Sequence, residues 1–319
     1  MLGPHDVGHR VVVRRRAGQR ADRPVFSDVL GELVGLTETE LTVRTVEHLV
    51  RIPRAEITHV KRVPDRRRPT ATEALERVAA AGWPAPEQAH LGEWLLRAAD
   101  GWTARGNSAL PIGDPGSTLS RAVDAVEDWY RSRNLPPRIT VPEPVGGRIT
   151  AELTRRRWLP APITLVQTAA LSDVVAATDP GPGTRLDTTP GDAWFAAVAG
   201  HKGALPEAAR WILTGVPLTR YAGVYTAEGA PAAVGRGVVA ETGSPDRWLG
   251  ISLVSVDPAQ RRHGLGRTIV GALARWAVEV GATRAYLQVE AHNEAAVAMY
   301  ARLGFRTHHP YVTWTAPAA

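Results

Sequence analysis

The chain has 319 residues, a formal net charge of +6, 44% hydrophobic and 22% charged residues, and no cysteine. That length predicts two domains with real cores, and the missing thiols exclude disulfides, zinc–thiolate centres and cysteine nucleophiles. No apolar run approaches a membrane span, and residues 1–6 lack the basic-then-apolar order of a secretory signal, so a soluble, cytoplasmic protein with no membrane partner is expected.

Strand-like pieces begin at Val11-Val12-Val13 and continue over 25–36, 41–46, 49–52 and 57–63, with a turn around Gly18 to Pro24. Short β-rich pieces at this spacing predict a small closed all-β barrel of SH3-like type over residues 1–66. Residues 1–70 hold 14 Lys+Arg against 9 Asp+Glu, so they carry +5 of the net +6. Only Lys61 and Lys202 are lysines. The arginine excess reads either as a surface for nucleic acid or another anionic partner, or as GC-rich coding that replaces lysine. All ten tryptophans lie at or after Trp83, so the barrel lacks the aromatic interleaving that stacks bases. Residues 67–83 follow the Pro64-Asp65-Arg66-Arg67-Arg68-Pro69 run and predict a linker leading into a short helix over 72–81.

Two strands are predicted within 93–112 around Asp100-Gly101. A helix over 119–133 follows from apolar Leu119, Val123, Val126 and Tyr130. A strand at 138–141, a helix within 147–159 and a strand at 163–168 come next, then a Pro/Gly-rich loop over 178–191. Helices are predicted at 192–198 and 206–214, each opened by Asp or Pro. Strands at 219–226, 231–240 and 249–256, a helix at 265–280, a strand at 285–290, a helix at 294–302 and a strand at 311–315 complete a mixed α/β pattern.

The strand 249–256 stops at Asp257-Pro258 and leads into Arg261-Arg262-His263-Gly264-Leu265-Gly266-Arg267 and an amphipathic helix. A glycine-bearing turn at a helix start gathers unpaired N–H groups and the positive end of the helix dipole, a site suited to a diphosphate. Glycine at 264 and 266 is expected to let backbone approach the phosphate oxygens. Neither the dinucleotide Gly-x-Gly-x-x-Gly pattern nor a Walker Gly-Lys-Ser/Thr is present. A strand from Tyr286 then ends in the polar cluster Glu290-Ala291-His292-Asn293, and the next helix stops at Gly304.

Together these two motifs resemble the GNAT superfamily of acetyl-CoA-dependent N-acyltransferases. Its Arg/Gln-x-x-Gly-x-Gly/Ala loop is matched by Arg261, Gly264 and Gly266. Its Asn-x-x-Ala-x-x-x-Tyr-x-x-x-Gly-Phe element is matched by Asn293, Ala296, Tyr300, Gly304 and Phe305. The resemblance implies a GNAT fold, an α/β (α+β) domain with a mixed twisted sheet, over an acetyl-CoA-binding core at 201–319. It implies acetyl-CoA as co-substrate, with no metal. Backbone groups of Val254 and Val256 would bond the pantetheine arm, with Asn293 and Ala296 beside it; for Asn293 the alternative is a cap on the 294–302 helix. Tyr300 would protonate the leaving thiolate; the alternative is a core tyrosine. Some relatives carry a Glu where Gln288 stands here, so Glu290 is the expected general base, with Glu241, His292 or a chain of waters as alternatives.

The barrel and the phrases Trp102-Thr103-Ala104-Arg105-Gly106-Asn107-Ser108 and Leu135-Pro136-Pro137 resemble an actinobacterial GNAT group often labelled N-acetylglutamate synthase. Asn107, Tyr130 and Leu135-Pro136-Pro137 faintly echo Asn293, Tyr300 and Leu303-Gly304-Phe305. On that echo 84–200 would be the first part of the catalytic region, with 84–170 a degenerate GNAT half, and Arg105, Asn107 and Ser108 would be acceptor-pocket candidates. Trp194, Phe195 and Trp211 would line the acceptor side or pack in the core. The expected activity is acetyl transfer to a primary amine of a small molecule such as glutamate, or of a protein. The competing reading is a CoA sensor whose basic barrel docks on nucleic acid or a protein; a homodimer is compatible with either.

Overall fold

The computed structural model describes residues 3–20, 23–45, 47–63, 69–179, 183–240 and 247–318. Residues 64–68, which include the first two of the expected linker, and the candidate base Glu241 lie outside them. The chain divides into two compact units, Met1–Pro69 and Thr70–Ala319.

The first unit holds β1 (Arg10–Arg20), β2 (Arg23–Leu36), β3 (Glu40–Arg44), β4 (Leu49–Pro53) and β5 (Ile57–Arg62), with a 3-10 turn at Arg54–Glu56. All pairs are antiparallel, in the order β4-β3-β2-β1-β5. Alternate residues bury Val11, Val13, Leu33, Leu41, Val43 and Ile52 in a barrel-like core. Part of the arginine excess is already paired on this unit's surface, Arg14 with Asp28 at 2.8 Å and Arg44 with Glu32 at 3.4 Å.

The second unit opens with α1 (Ala71–Ala81), closed at its start by a reciprocal capping box between Thr70 and Glu73. It continues through β6 (Glu87–Leu91), β7 (Trp94–Ala98), α2 (Leu119–Arg131), β8 (Arg138–Pro142), α3 (Gly147–Arg155), β9 (Leu159–Pro160), β10 (Thr164–Ala170), α4 (Leu171–Ala176) and β11 (Arg185–Asp187). Then follow α5 (Asp192–Lys202), α6 (Glu207–Thr214), β12 (Thr219–Tyr225), β13 (Pro231–Val239), β14 (Trp248–Val256), α7 (Leu265–Glu279), β15 (Arg284–Glu290), α8 (Glu294–Arg302) and β16 (Arg306–Thr315). The large sheet runs β11-β12-β13-β14-β15-β10-β16-β8, with β9 on β16. Only β14 and β15 pair in parallel; the other pairs are antiparallel.

Several details differ from the sequence expectation. The hairpin expected around Asp100-Gly101 turns instead at Gly92-Glu93, because Glu87–Leu91 is a strand paired with Trp94–Ala98. Its residues are mostly polar and half-buried or exposed, so its apolar pattern is weak. The expected loop 178–191 contains β11, and β16 begins five residues earlier than its apolar end suggests.

Packing on one face of the large sheet is apolar. Leu249, Ile251, Ala285 and Leu287 meet Ile269, Val270, Leu273 and Ala274 of α7, all at most 4% exposed. Each large aliphatic side chain buried this way contributes about 1.5–3 kcal/mol. Strand β13 makes the approach close: a Cβ on Gly235 would meet Ile269 Cγ2 at 2.5 Å, and one on Gly237 would meet Leu273 Cδ2 at 2.8 Å. Arg236, between these glycines, must then point to the opposite face.

Candidate active site

Strands β14 and β15 pair from Trp248 with Arg284 to Ile251 with Leu287 and then separate. β14 stays on β13 through a bulge, where Arg236 pairs with Ser252 but Val234 with Ser255. Within that bulge Leu253 takes φ of 56°, a left-handed backbone that costs a non-glycine residue about 1–3 kcal/mol. Asp257 N–H donates to Ala232 O at 2.9 Å. Alternation along the strand therefore turns the N–H and C=O groups of Val254 and Val256 away from β13, into the gap left by β15.

The gap leads to the glycine loop. Asp257 Oδ1 accepts from Ala259 N–H at 2.8 Å, and His263 Nδ1 lies 3.2 Å from Gln260 O. Gly264 is the N-cap of α7 with φ of 79° and supplies no side-chain acceptor to the first turn. A Cβ there would touch nothing within 4 Å. The left-handed backbone is what requires glycine, and the space before the helix stays open to an anion. At Gly266 a Cβ would meet Met299 Sδ at 3.0 Å, so glycine here also lets α7 pack against α8. Arg261, Arg262 and His263 are exposed at the rim and Leu265 is half-buried. Arg267 is turned aside, donating from Nη2 to Ala177 O at 2.9 Å. The start of α8, by contrast, is closed, because Asn293 Oδ1 accepts from Ala296 N–H at 3.2 Å.

Tyr300 lies on α8, buried against Phe305 with ring centroids 5.8 Å apart. Among the described residues its hydroxyl has no hydrogen-bond partner. Burial pushes its pKa up to about 12, so the phenol is protonated at neutral pH. Glu290 is at the end of β15, exposed, with Oε2 3.1 Å from His292 Nε2. An ion pair open to water on both sides contributes little, so Glu290 remains available to a substrate.

The face opposite α7 carries a buried polar layer. Tyr286 and Gln288 of β15, Val166 of β10 and His309 and Tyr311 of β16 share it, by the pairings Gln288 with Val166 and Val166 with His309. Gln288 Oε1 accepts from Arg105 Nη1 and, at 3.5 Å, from Tyr311 OH. Arg105 also stacks on Trp83, 4.1 Å from the ring centroid, and Trp83 is stacked on Trp102 at 5.6 Å. Arg236, fully buried, donates to the carbonyls of Leu213 at 2.9 Å, Gly82 at 3.1 Å and Ile212 at 3.3 Å. Glu76 of α1 bonds His309 Nε2 at 2.8 Å, and His309 Nδ1 meets Nδ1 of the exposed His308 at 2.8 Å. Burial and the neighbouring His309 hold His308 below its usual pKa.

Of the acceptor-pocket candidates, only Arg105 reaches this layer with bonding capacity to spare. Asn107 is spent on the turn after β7: Oδ1 accepts from Ala99 and Gly101, and Nδ2 donates to Trp102 O and Thr103 O. Ser108 is bonded to Arg97 and Thr140. Trp194 and Phe195 pack in a core cluster, while Trp211 is 57% exposed. Sequence reading missed Arg236 and the Glu76–His309 pair. A lone arginine between two glycines in the apolar run 232–239 was the available signal for the first; Glu76 and His309 are 233 residues apart and gave none.

Residues 70–313 match the family described as "Probable histone acetyltransferase Rv0428c C-terminal". The chain is 29% identical over 309 residues to "Probable histone acetyltransferase Rv0428c" of Mycobacterium tuberculosis, covering 95% of this chain and 93% of that protein. It is 27% identical over 238 residues to "Uncharacterized N-acetyltransferase YobR" of Bacillus subtilis, covering 72% of this chain and 93% of the relative. Among solved structures, a GCN5-related N-acetyltransferase from Kribbella flavida superposes with a TM-score of 0.61 at 16% identity, covering 78% of this chain and 96% of that one, a likeness of fold.

Proposed function

As the chain belongs to this family of GNAT N-acetyltransferases, we propose that it moves an acetyl group from acetyl-CoA to the primary amine of a small molecule, an amino acid among the candidates. The observation that carries the reading is the gap between β14 and β15 beyond Ile251 and Leu287, lined by unpaired backbone of Val254 and Val256 and opening on the uncapped start of α7. Backbone of that gap bonds the pantetheine amides, and the loop with Arg261, Arg262, His263, Gly264, Leu265 and Gly266 takes the pyrophosphate. Arg267, bonded to Ala177, shapes the loop rather than reaching the phosphate. Asn293 and Ala296 fix the start of α8, which sets Tyr300 in place.

The amine attacks the thioester carbon, and the C–S bond breaks as the C–N bond forms. Tyr300, protonated and without another partner, gives its proton to the departing thiolate. Glu290, directly or through water, takes the proton of the amine, whose pKa of about 10 keeps it mostly charged at neutral pH. Gln288 cannot do so, because a carboxamide has no basic atom.

Segment 84–170 is read as a degenerate GNAT half. Its β8, α3 and β10 repeat the strand–helix–strand order of β15, α8 and β16 within one sheet. This equivalence sets α3 against α8 and so replaces the Tyr130–Tyr300 echo. Tyr130 is structural, its hydroxyl donating to Arg97 O at 2.8 Å.

Release of free thiol from acetyl-CoA over a panel of amines, amino acids and histone-tail peptides tests the reading. Peptides belong in the panel because the Mycobacterium tuberculosis relative is named for a histone acceptor. Turnover on small amines supports the proposal. Turnover on peptides alone moves the acceptor to protein lysine, and CoA binding without turnover on any amine marks a sensor.

A further inference from the structure

We propose that Arg105 selects the acceptor by pairing with a carboxylate that the amine substrate carries, so that the acceptor class is amino acids and related amino carboxylates. The inference rests on the acetyltransferase reading above. Its ground is a cation placed at the reacting end of the site with no anion to match it. Arg105 donates to Gln288, the first residue of β15 past its last pairing with β14. It therefore sits where the gap opens onto the acceptor side of the sheet.

The charge count on this face is uneven. Arg97, Arg105 and Arg236 all lie there, and among the described residues none has a carboxylate within ion-pair distance. Arg97 is spent on Ser108, through Nε to its carbonyl at 3.0 Å and through Nη2 to its hydroxyl at 3.1 Å. Arg236 is spent on three carbonyls. Among the described residues Arg105 makes one hydrogen bond, from Nη1, and it is half-buried, so the other N–H groups of its fork can meet a ligand. Burial holds all three guanidiniums below their ordinary pKa, which is the mark of charges short of counter-charge. Glu76 is the carboxylate whose field reaches both Arg97 and Arg105, and it is held by His309.

Two further features fit an acceptor carboxylate. Ser252, paired with Arg236 and on the same face, has a buried hydroxyl with no partner among the described residues. Stacking on Trp83, itself stacked on Trp102, orients the guanidinium plane in advance and reduces the entropy lost on pairing. Gln288 completes the argument: its amide holds Arg105 in position, whereas a glutamate there would neutralise it. The planar fork of one guanidinium with free N–H groups matches the two oxygens of a carboxylate, and the third oxygen of a phosphonate would enter a desolvated layer without a donor.

The test uses the full chain and three matched acceptors: an α-amino acid, its carboxamide, and its aminophosphonate analogue, with thiol release as readout. The expected kcat/KM for the acid exceeds that for the amide by about 100-fold or more, mostly through KM, and also exceeds that for the phosphonate. Arg105→Gln is expected to collapse the acid-to-amide ratio below about 5-fold, and Gln288→Glu to lower it by raising KM for the acid. Acetyl-CoA binding by calorimetry verifies that each variant is folded. A wild-type ratio near one, preference for the phosphonate, or a ratio unmoved in both variants overturns the proposal and leaves the transferase reading standing. Absence of turnover on every amine overturns both.

Discussion

The two faces of the large sheet are built from the same strands yet solve opposite problems. Toward α7 the strands present Leu249, Ile251, Leu287 and the glycines of β13, and the interface is closed by close packing. Toward α1 they present Arg236, Gln288, His309 and Tyr311, and the layer is held by hydrogen bonds to carbonyls, amides and hydroxyls. A buried polar layer is a poor way to gain stability, because each charge costs several kcal/mol to desolvate. The layer lies beside the point where β14 and β15 separate.

The sharpest way to break this comparison is the hydroxyl of Tyr300, the one polar group in the apolar cluster given a chemical role. Tyr300→Phe is expected to lower kcat about 10²–10⁴-fold with little change in melting temperature, since the hydroxyl bonds nothing in the fold. An unaltered kcat would return Tyr300 to the role of a core aromatic. Leu273→Ala should show the reverse, a loss of about 2–5 kcal/mol in urea unfolding with kcat per folded molecule retained. A change in acceptor KM in that variant would mean the faces are coupled.

Alkaline titration compares tyrosines on either side of the sheet. Burial pushes Tyr286 on the polar face and Tyr300 on the apolar face up to about 12, against about 10 in the unfolded chain. Each neutral phenol therefore contributes stability that is complete below pH 10 and lost as pH rises from 10 through 12, about 2–3 kcal/mol apiece. Tyr130, Tyr221, Tyr225 and Tyr311 are shifted the same way. Ultraviolet titration should show phenolate appearing together with unfolding, and smooth ionisation near pH 10 in the folded protein would contradict the burial. The smallest effect is expected at the open helix start. Gly264→Ala strains a φ of 79° by about 1 kcal/mol and should weaken CoA binding at most about fivefold in calorimetry, without altering acceptor selectivity.

What could be read from the sequence follows from where each signal resides. The limits of α8 were legible, because Asn293 and Gly304 punctuate it locally. The glycine turn before α7 was legible from Gly264 and Gly266, although the packing of Gly266 against Met299 was not. Strand Glu87–Leu91 and the polar start of β16 were not, because their partners rather than their own side chains make them strands. The polar layer was least visible of all. Arg105 meets Gln288 across 183 residues and Glu76 meets His309 across 233, separations at which no periodicity connects the members. The Gln at 288 read at first as a missing base; beside Arg105 it becomes the group that holds a cation without neutralising it.

Strand β10 lies between β15 and β16, although those two follow one another in the chain with only α8 between them. The helical connection from β15 to β16 thus straddles a strand synthesised more than a hundred residues earlier. During synthesis β10 must wait, with both edges unpaired, until β15 and β16 have emerged. Such non-local pairing slows folding, and it makes the catalytic half inseparable from the segment before it. A truncation that kept only residues 201–319 would remove both a central strand and Arg105.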